Sequence, residues 1–205
     1  MEISATMIKE LREKTGAGML DCREALKQNE GNLQKAMDFL RQKGIASADK
    51  KKDRATAEGR VDSYIHAIGA AARVGVLIEV NCETDFVAKT DDFKNLVRDV
   101  AMHIAALSPV YVTREEVPKE LIERELDGYK KAAIEEGKKP EMAEKIAQGK
   151  VDKYFERLCL YDQPYVKDDK KTVGEYIRET IGKLGENIKV ARFVRYALGE
   201  SAPKE

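Results

Sequence analysis

The spacing of apolar residues in the first 44 positions predicts three short helices. Their inward positions are Met7, Ile8 and Leu11 in the first helix, Cys22, Ala25 and Leu26 in the second, and Leu33, Ala36, Met37 and Leu40 in the third. Gly44 is placed to end the third helix, because glycine is favoured just after a helix C-terminus. Residues 1–45 are therefore predicted to form a three-helix domain, near the lower size limit for a domain that folds alone.

The next stretch has no apolar face to bury. Residues 46–59, "ASADKKKDRATAEG", are rich in alanine and lysine and contain no large apolar residue. We interpret them as a linker. A second domain is then predicted over residues 60–200.

Alternating apolar positions predict three strands in the second domain. The first two are "RVDSYIHAI" and "VGVLIEVNC", which the short turn "GAAAR" joins as an antiparallel hairpin. The inner face of the second strand is predicted from Val74, Val76, Ile78, Val80 and Cys82. The third strand is "NIKVARFVRYAL", close to the C-terminus.

Helical patterns fill the rest of the second domain. A clean period near 3.6 predicts an amphipathic helix from Asp91 to Leu107. The charged segment from Pro118 to Leu158 is divided by a glycine and a proline, which predicts an antiparallel helical hairpin inserted at about 114–160. The predicted fold class is α+β: three N-terminal helices, then a small three-stranded antiparallel sheet with packed helices and the hairpin insert.

Composition narrows the possible functions. The chain has 205 residues, and its 37 basic side chains balance its 37 acidic ones, so direct nucleic-acid binding is not expected. No apolar run approaches the roughly 18 residues of a membrane span, and the first residues do not resemble a secretory signal. We therefore expect a cytoplasmic protein with reduced cysteines and no membrane contact.

The sequence contains no recognisable catalytic or cofactor motif. It has neither phosphate-binding glycine pattern, GxxxxGK[ST] or GxGxxG, and its three cysteines have no metal-ligand spacing. His66 or His103 could approach Cys82 to form a cysteine nucleophile. The ordinary interpretation is a core cysteine with packed or surface histidines. We expect no cofactor, no metal and no enzymatic activity.

Two short stretches are candidates for partner contact. Adjacent helical residues diverge by about 100°, so Met19 and Leu20 cannot both face the same small core. An exposed pair at a helix start is typical of a partner surface, although simple packing is an equal alternative.

The second stretch, "TDFV", lies between a strand and a helix. Thr84 can cap a short turn with Asp85 at its positive end, which places Phe86 and Val87 at the junction. Either Phe86 reaches into a partner, or it plugs the edge of the sheet.

Four stretches resemble bacterial elongation factor Ts. "LREKTGAGMLDCREAL", "NCETDFVAKTDDF", "HIAA" and "LGENIKVARF" lie in the order found in that family, and the resemblance covers nearly the whole chain. The chain resembles the short form with a single half-core. The resemblance implies a guanine nucleotide exchange factor for elongation factor Tu, with residues 1–45 similar to a ubiquitin-associated domain.

The resemblance also implies a role for each candidate stretch. Met19 and Leu20 would dock on the GTP-binding domain of elongation factor Tu. The motif Thr84, Asp85, Phe86 and Val87 would press beside its nucleotide and displace the magnesium and phosphate contacts. A non-enzymatic adaptor that binds another protein through the N-terminal helices is the alternative.

The third strand predicts self-association. Its apolar residues fall on both faces, with Ile188, Val190 and Val194 on one and Ala191 and Phe193 on the other. A strand that is apolar on both sides is normally covered on both. We expect a homodimer in which Phe193 makes the contact. The alternative is a monomer whose inserted helices fold back over that face.

Overall fold

The residues that the computed structural model describes are 3–68 and 71–200, and they form eight α-helices and five β-strands. The helices are α1 (Ala5–Thr15), α2 (Met19–Gln28), α3 (Leu33–Asp49), α4 (Asp85–Ala88), α5 (Asp91–Leu107), α6 (Lys119–Glu135), α7 (Pro140–Leu158) and α8 (Val173–Leu184). The strands are β1 (Glu58–Ile68), β2 (Ala71–Cys82), β3 (Pro164–Tyr165), β4 (Asp168–Thr172) and β5 (Lys189–Ala197).

The α+β fold class is confirmed. The main sheet is antiparallel, with strand order β1-β2-β5. The residues Gly69 and Ala70 of the predicted "GAAAR" turn lie outside the described residues. A second, two-stranded sheet, which the sequence pattern does not predict, pairs β3 with β4 in antiparallel fashion. The sequence of β4 is "DDKKT", which has no apolar alternation to reveal a strand.

The chain divides into two compact units. The first runs to Val61 and adds Glu79–Val97 and Glu175–Val190. The second contains Asp62–Ile78, Arg98–Gly174 and the chain from Ala191 onward. The three strands of the main sheet and the helices α5 and α8 therefore contribute residues to both units.

In the first unit, α1, α2 and α3 enclose a small apolar core. Its buried members are Leu11, Cys22, Ala25, Leu26, Ala36 and Leu40, with Met7, Ile8, Leu33 and Met37 partly buried around them. The predicted inward faces of the three helices are confirmed. Ser4 caps α1 by accepting a hydrogen bond from the Met7 backbone N–H at 3.2 Å, which satisfies one of the free amides at the helix start.

The prediction that Gly44 ends the third helix is wrong, because α3 continues to Asp49. A Cβ atom on Gly182 would lie 2.6 Å from the Cα of Gly44, so α3 and α8 touch through their backbones at this point. Glycine at position 44 therefore serves a close helix–helix contact. The start of the predicted 46–59 linker is helical, and Ala48 within it is buried.

In the second unit, α6 and α7 form the predicted antiparallel hairpin. An ion pair between Lys130 and Glu144 joins the two helices near their turn. The ammonium of Lys150 lies 5.7 Å from the centre of the Tyr129 ring. These cross-helix pairs run in opposite order along the two helices, which is the pattern of an antiparallel pair.

His103 is a buried polar link within the second unit. Its Nε2 lies 2.9 Å from Oε1 of Gln163, and its Nδ1 accepts a hydrogen bond from the Val166 backbone N–H at 3.2 Å. Because Nδ1 accepts, the imidazole is neutral and carries its proton on Nε2. Gln163 also donates from Nε2 to the carbonyl of Arg157 at 2.9 Å. His103 thereby ties α5 to the segment that follows α7.

Acid is expected to destabilise the fold through His103. Burial lowers its pKa from the ordinary 6.5, so the unfolded chain binds this proton at a higher pH than the folded chain does. The contribution to stability is complete above the unfolded pKa and is lost as the pH falls toward the folded one. Thermal melts from about pH 7.5 to about pH 5.5 should show a smaller loss for His103→Gln than for the parent.

The matched control is His66→Gln, since His66 is exposed and its ring lies beside Tyr64, with Nδ1 at 3.1 Å from the Tyr64 hydroxyl. It should leave the pH dependence of the melting temperature unchanged. Equal slopes for the parent and His103→Gln would show that His103 is not the acid-sensitive group.

Candidate functional site

The short helix α4 follows directly after β2 and begins at a side-chain cap. Thr84 is the capping residue, and its Oγ1 accepts a hydrogen bond from the Val87 backbone N–H at 3.4 Å. The carbonyl of Thr84 accepts from the Ala88 N–H at 3.3 Å. Asp85 lies in the first turn, where a negative charge suits the helix dipole. These bonds make a single, defined turn of the stretch "DFVA".

This turn leaves its aromatic residue in solvent. Phe86 is 79% exposed, whereas Ala88 is buried and Val87 is half-buried. The alternative in which Phe86 plugs the edge of the sheet does not agree with that exposure. A large apolar ring held in water on a short capped helix is available for contact with another molecule.

An exposed ion pair flanks the ring on the same turn. Nζ of Lys89 lies 2.6 Å from Oδ2 of Asp85, one helical turn away. The hydrogen bond from Lys89 lowers the pKa of Asp85, and its charge adds to the effect. Asp85 therefore remains ionised beside Phe86.

A carboxylate from a distant part of the chain holds the residues before the turn. Oε2 of Glu186 accepts hydrogen bonds from the backbone N–H of Glu83 at 3.1 Å and of Thr84 at 3.0 Å. Its Oε1 accepts from the Thr84 hydroxyl at 2.6 Å. Glu186 lies between α8 and β5, just after Gly185, whose φ of +81° is in the left-handed region.

A second set of bonds fixes the same place. The backbone N–H of Asn187 donates to Oε1 of Glu83 at 2.7 Å. The buried side chain of Asn187 donates to the carbonyls of Lys52 at 3.1 Å and Arg54 at 2.8 Å. Three segments that are far apart in sequence thus meet behind α4. None of Glu83, Glu186 and Asn187 was predicted as a site residue, although all three lie in the quoted stretches "NCETDFVAKTDDF" and "LGENIKVARF".

The start of α2 carries the second candidate surface. Met19 is 46% exposed and Leu20 is 81% exposed, while Cys22 in the same helix is buried. Neither Met19 nor Leu20 belongs to the core of the three N-terminal helices. The first compact unit contains Met19, Leu20 and Phe86.

The second unit presents an apolar sheet surface. The open face, as we call it, consists of Ile65, Leu77, Val194, Tyr196 and Leu198, all of which are exposed. Ile65 lies over Gly75, where its Cδ1 would be 3.2 Å from an added Cβ. Leu77 and Gly75 share one face of β2, opposite the buried Val76 and Ile78. Phe193 is half-buried, and so is less available than Tyr196.

Comparison with known proteins gives a consistent result. The profile of the family described as Elongation factor TS matches residues 50–200. A protein named Elongation factor Ts from Desulfosudis oleivorans is 54% identical over 97% of this chain and 98% of its own length. One of the same name from Geobacter sulfurreducens is 52% identical over 100% of this chain and 94% of its own length. A third, from an Anaeromyxobacter species, is 54% identical over 100% of this chain and 92% of its own length.

The chain belongs to the elongation factor Ts family. It is therefore a translation elongation factor. The region matched by the elongation factor Ts profile includes Thr84–Val87 and Glu186 but begins after Met19 and Leu20. Those two residues fall within the longer alignments to the elongation factor Ts relatives, which span the whole of this chain.

Cys82 of this elongation factor Ts chain lacks the properties of a nucleophile. It is buried, and its Sγ donates to the Thr84 carbonyl at 3.2 Å. Burial, together with the nearby Glu186 charge, raises the pKa of the thiol to about 11, so the reactive thiolate is scarce near neutrality. The cysteine-enzyme hypothesis therefore has no support at this residue.

Two further observations concern metal binding and membrane-spanning helices. No group of three or more His, Cys, Asp or Glu side chains among residues 3–68 and 71–200 is arranged to hold a metal ion. None of the helices within those ranges is both long and apolar enough to cross a membrane.

Proposed function

We propose that this protein is a guanine nucleotide exchange factor for elongation factor Tu, and that it acts by inserting Thr84–Val87 beside the magnesium and phosphate site of its partner. The observation that carries the proposal is the 79% exposure of Phe86 on a capped turn. Membership of the elongation factor Ts family supports the choice of partner.

Exchange requires contacts that favour the nucleotide-free partner. This protein and GDP would both bind elongation factor Tu, and their effects on each other are reciprocal. If this protein lowers the affinity of elongation factor Tu for GDP by some factor, GDP lowers its affinity for this protein by the same factor. A protruding ring meets that requirement, since it fits only where elements of the partner have moved aside. Phe86 is the described residue of this segment best placed for the role.

The energy available is sufficient for large rate effects. Full burial of an aromatic ring contributes about 1.5–3 kcal/mol, and each 1.4 kcal/mol corresponds to about tenfold in an equilibrium constant. Magnesium holds phosphate oxygens in near-ideal octahedral geometry, so a small displacement of its surroundings weakens that binding. A few contacts of this kind would speed GDP release by orders of magnitude.

The direct test measures release of a fluorescent GDP analogue from elongation factor Tu. Micromolar amounts of this protein should accelerate release strongly, and excess GDP should dissociate the complex of the two proteins. Binding without any acceleration would reject exchange activity. It would favour the adaptor alternative, which the exposure of Met19 and Leu20 also supports.

We further propose that residues 1–45 dock on the GTP-binding domain of elongation factor Tu through Met19 and Leu20. In this arrangement residues 46–59 connect that unit to the core of residues 60–200. Both proteins would meet in the cytoplasm, without a cofactor and without direct contact to nucleic acid or membrane.

Leu20→Ser is expected to weaken binding to nucleotide-free elongation factor Tu by about tenfold or more, because it removes a leucine side chain from the contact. The fold should be retained, since Leu20 is 81% exposed. Titration calorimetry measures the affinity, and Met142→Ser supplies a control at another exposed apolar residue. Equal affinities for Leu20→Ser and the parent would reject Leu20 as a contact.

We also propose that two copies associate as a homodimer through the open face. Five exposed apolar side chains on the strands and directly after β5 resemble half of a packed interface. The sequence pattern predicts Phe193 as the contact, but its partial burial makes Tyr196, which is 73% exposed, the better residue to test.

A further inference from the structure

Glu186 accepts three hydrogen bonds from two consecutive residues. Glu83 and Thr84 offer their backbone N–H groups, and Thr84 adds its hydroxyl. β2 ends at Cys82 and α4 begins at Asp85, so these two amides lie between regular elements. Without Glu186, neither amide would keep this acceptor, and leaving a partly buried amide without a partner costs free energy.

The carboxylate also sets the direction of the Thr84 hydroxyl bond. An ionised carboxylate can only accept, so the hydroxyl gives its single proton to Oε1 of Glu186 at 2.6 Å. The lone pairs of Oγ1 then remain free for the Val87 N–H at 3.4 Å. The bond to Glu186 thus orients the group that caps α4, and linked bonds of this kind strengthen one another.

The loop that carries Glu186 is itself fixed. Asn187 is buried, with 2% exposure, and its backbone N–H and side chain bind Glu83, Lys52 and Arg54. Displacement of the backbone at Glu186 and Asn187 would therefore have to break the bonds to the segment after α3 as well. The carboxylate is held in place before any partner binds.

We propose that Glu186 is a positioning residue for exchange: it fixes Thr84, and through Thr84 it fixes the orientation of α4 and of Phe86. This inference rests on the proposed function of Thr84–Val87. It does not require Glu186 to touch elongation factor Tu. Phe86 alone among these residues supplies the apolar contact, and Glu186 reduces the freedom that Phe86 would lose on binding.

The test compares Glu186→Ala and Glu186→Gln with the parent. Glu186→Ala should slow the release of fluorescent GDP from elongation factor Tu by about tenfold, the size expected for losing hydrogen bonds to a charged group. Glu186→Gln should fall in between, because one amide oxygen can still accept from the two backbone N–H groups. Glu136→Ala, at an exposed carboxylate directly after α6, should release GDP at the parent rate.

Two further measurements separate positioning from general damage. Amide hydrogen exchange at Thr84 and Val87 should quicken in Glu186→Ala, while amides within α1 keep their protection. If Glu186 acts through Phe86, the double variant Phe86→Ala with Glu186→Ala should release GDP about as slowly as Phe86→Ala alone.

The outcomes distinguish this inference from the proposed function. If Phe86→Ala slows release but Glu186→Ala does not, Glu186 is not a positioning residue and the exchange motif stands. If Phe86→Ala releases GDP at the parent rate, the wedge role fails. In that case amide hydrogen exchange still decides whether Glu186 orders α4. If Glu186→Ala leaves the amide hydrogen exchange of Thr84 and Val87 unchanged, the inference is overturned by that result alone.

Discussion

Phe86→Ala is expected to slow GDP release from elongation factor Tu by about tenfold to a hundredfold, which corresponds to losing the burial of one aromatic ring. The melting temperature should stay close to that of the parent, because the ring is 79% exposed and contributes little to the core. Stopped-flow fluorescence with labelled GDP measures the rate, and calorimetry measures the melting temperature.

Two variants bracket the interpretation of Phe86. Phe86→Leu keeps part of the apolar volume and should release GDP at an intermediate rate. Val110→Ala removes apolar volume at another exposed position, which is 58% exposed, and should leave the rate unchanged. A Phe86→Ala protein that melts several degrees lower yet exchanges at the parent rate would show that the ring serves stability instead.

Periodic segments with clear ends were predicted well. The pattern from Asp91 to Leu107 predicts a helix, and α5 has those bounds. Its apolar residues repeat at helical spacing, acidic residues suit its first turn, and Pro109 follows its end. The inner face predicted for β2 is likewise buried from Val76 to Cys82. In both cases the residues that determine the element are neighbours in the sequence, so a short stretch of sequence is enough to predict it.

Contacts between distant segments were not predictable in the same way. Gly44 has the position of a helix stop, and only the presence of Gly182 on α8 explains why α3 passes through it. The strand β4 is polar throughout, so its pairing with β3 leaves no pattern. Local propensity indicates which backbone conformations a residue can adopt, whereas its contacts in the folded protein decide which of them it adopts.

The candidate site shows the same division. Thr84 as a cap and Asp85 at the start of a turn follow from adjacent residues, and the structure has both features. The support from Glu186 joins residues 102 positions apart in the chain, and no single-sequence pattern contains that distance. A polar turn after a helix, such as the one at Gly185, is ordinarily solvated.

The open face leads to the prediction for self-association. Each copy presents five apolar side chains, and burying each contributes about 1.5–3 kcal/mol at most. Association itself costs about 4–15 kcal/mol, so one or two such contacts would not hold a dimer, but two complete faces would. A two-fold arrangement pairs the same face from each copy and closes the assembly.

Tyr196→Asp is expected to convert the proposed dimer to single chains at micromolar concentration. Tyr196 is 73% exposed, so the folded chain tolerates aspartate there, whereas a dimer would bring two unpaired carboxylates into an apolar contact. We expect the dissociation constant to rise by at least about a hundredfold. Static light scattering measures the mass, with Met142→Asp on α7 as the control that should remain dimeric.

Each result of the scattering experiment shows whether two copies associate and which surface they use. The dimer would be ruled out if the parent protein has the mass of one chain. The complex formed after elongation factor Tu is added would then also contain only one copy of this chain. Loss of the dimer in Met142→Asp but not in Tyr196→Asp would move the contact to the helical hairpin. Dissociation in Tyr196→Asp alone places the contact on the open face, because an exposed side chain changes the mass only where a second copy covers it.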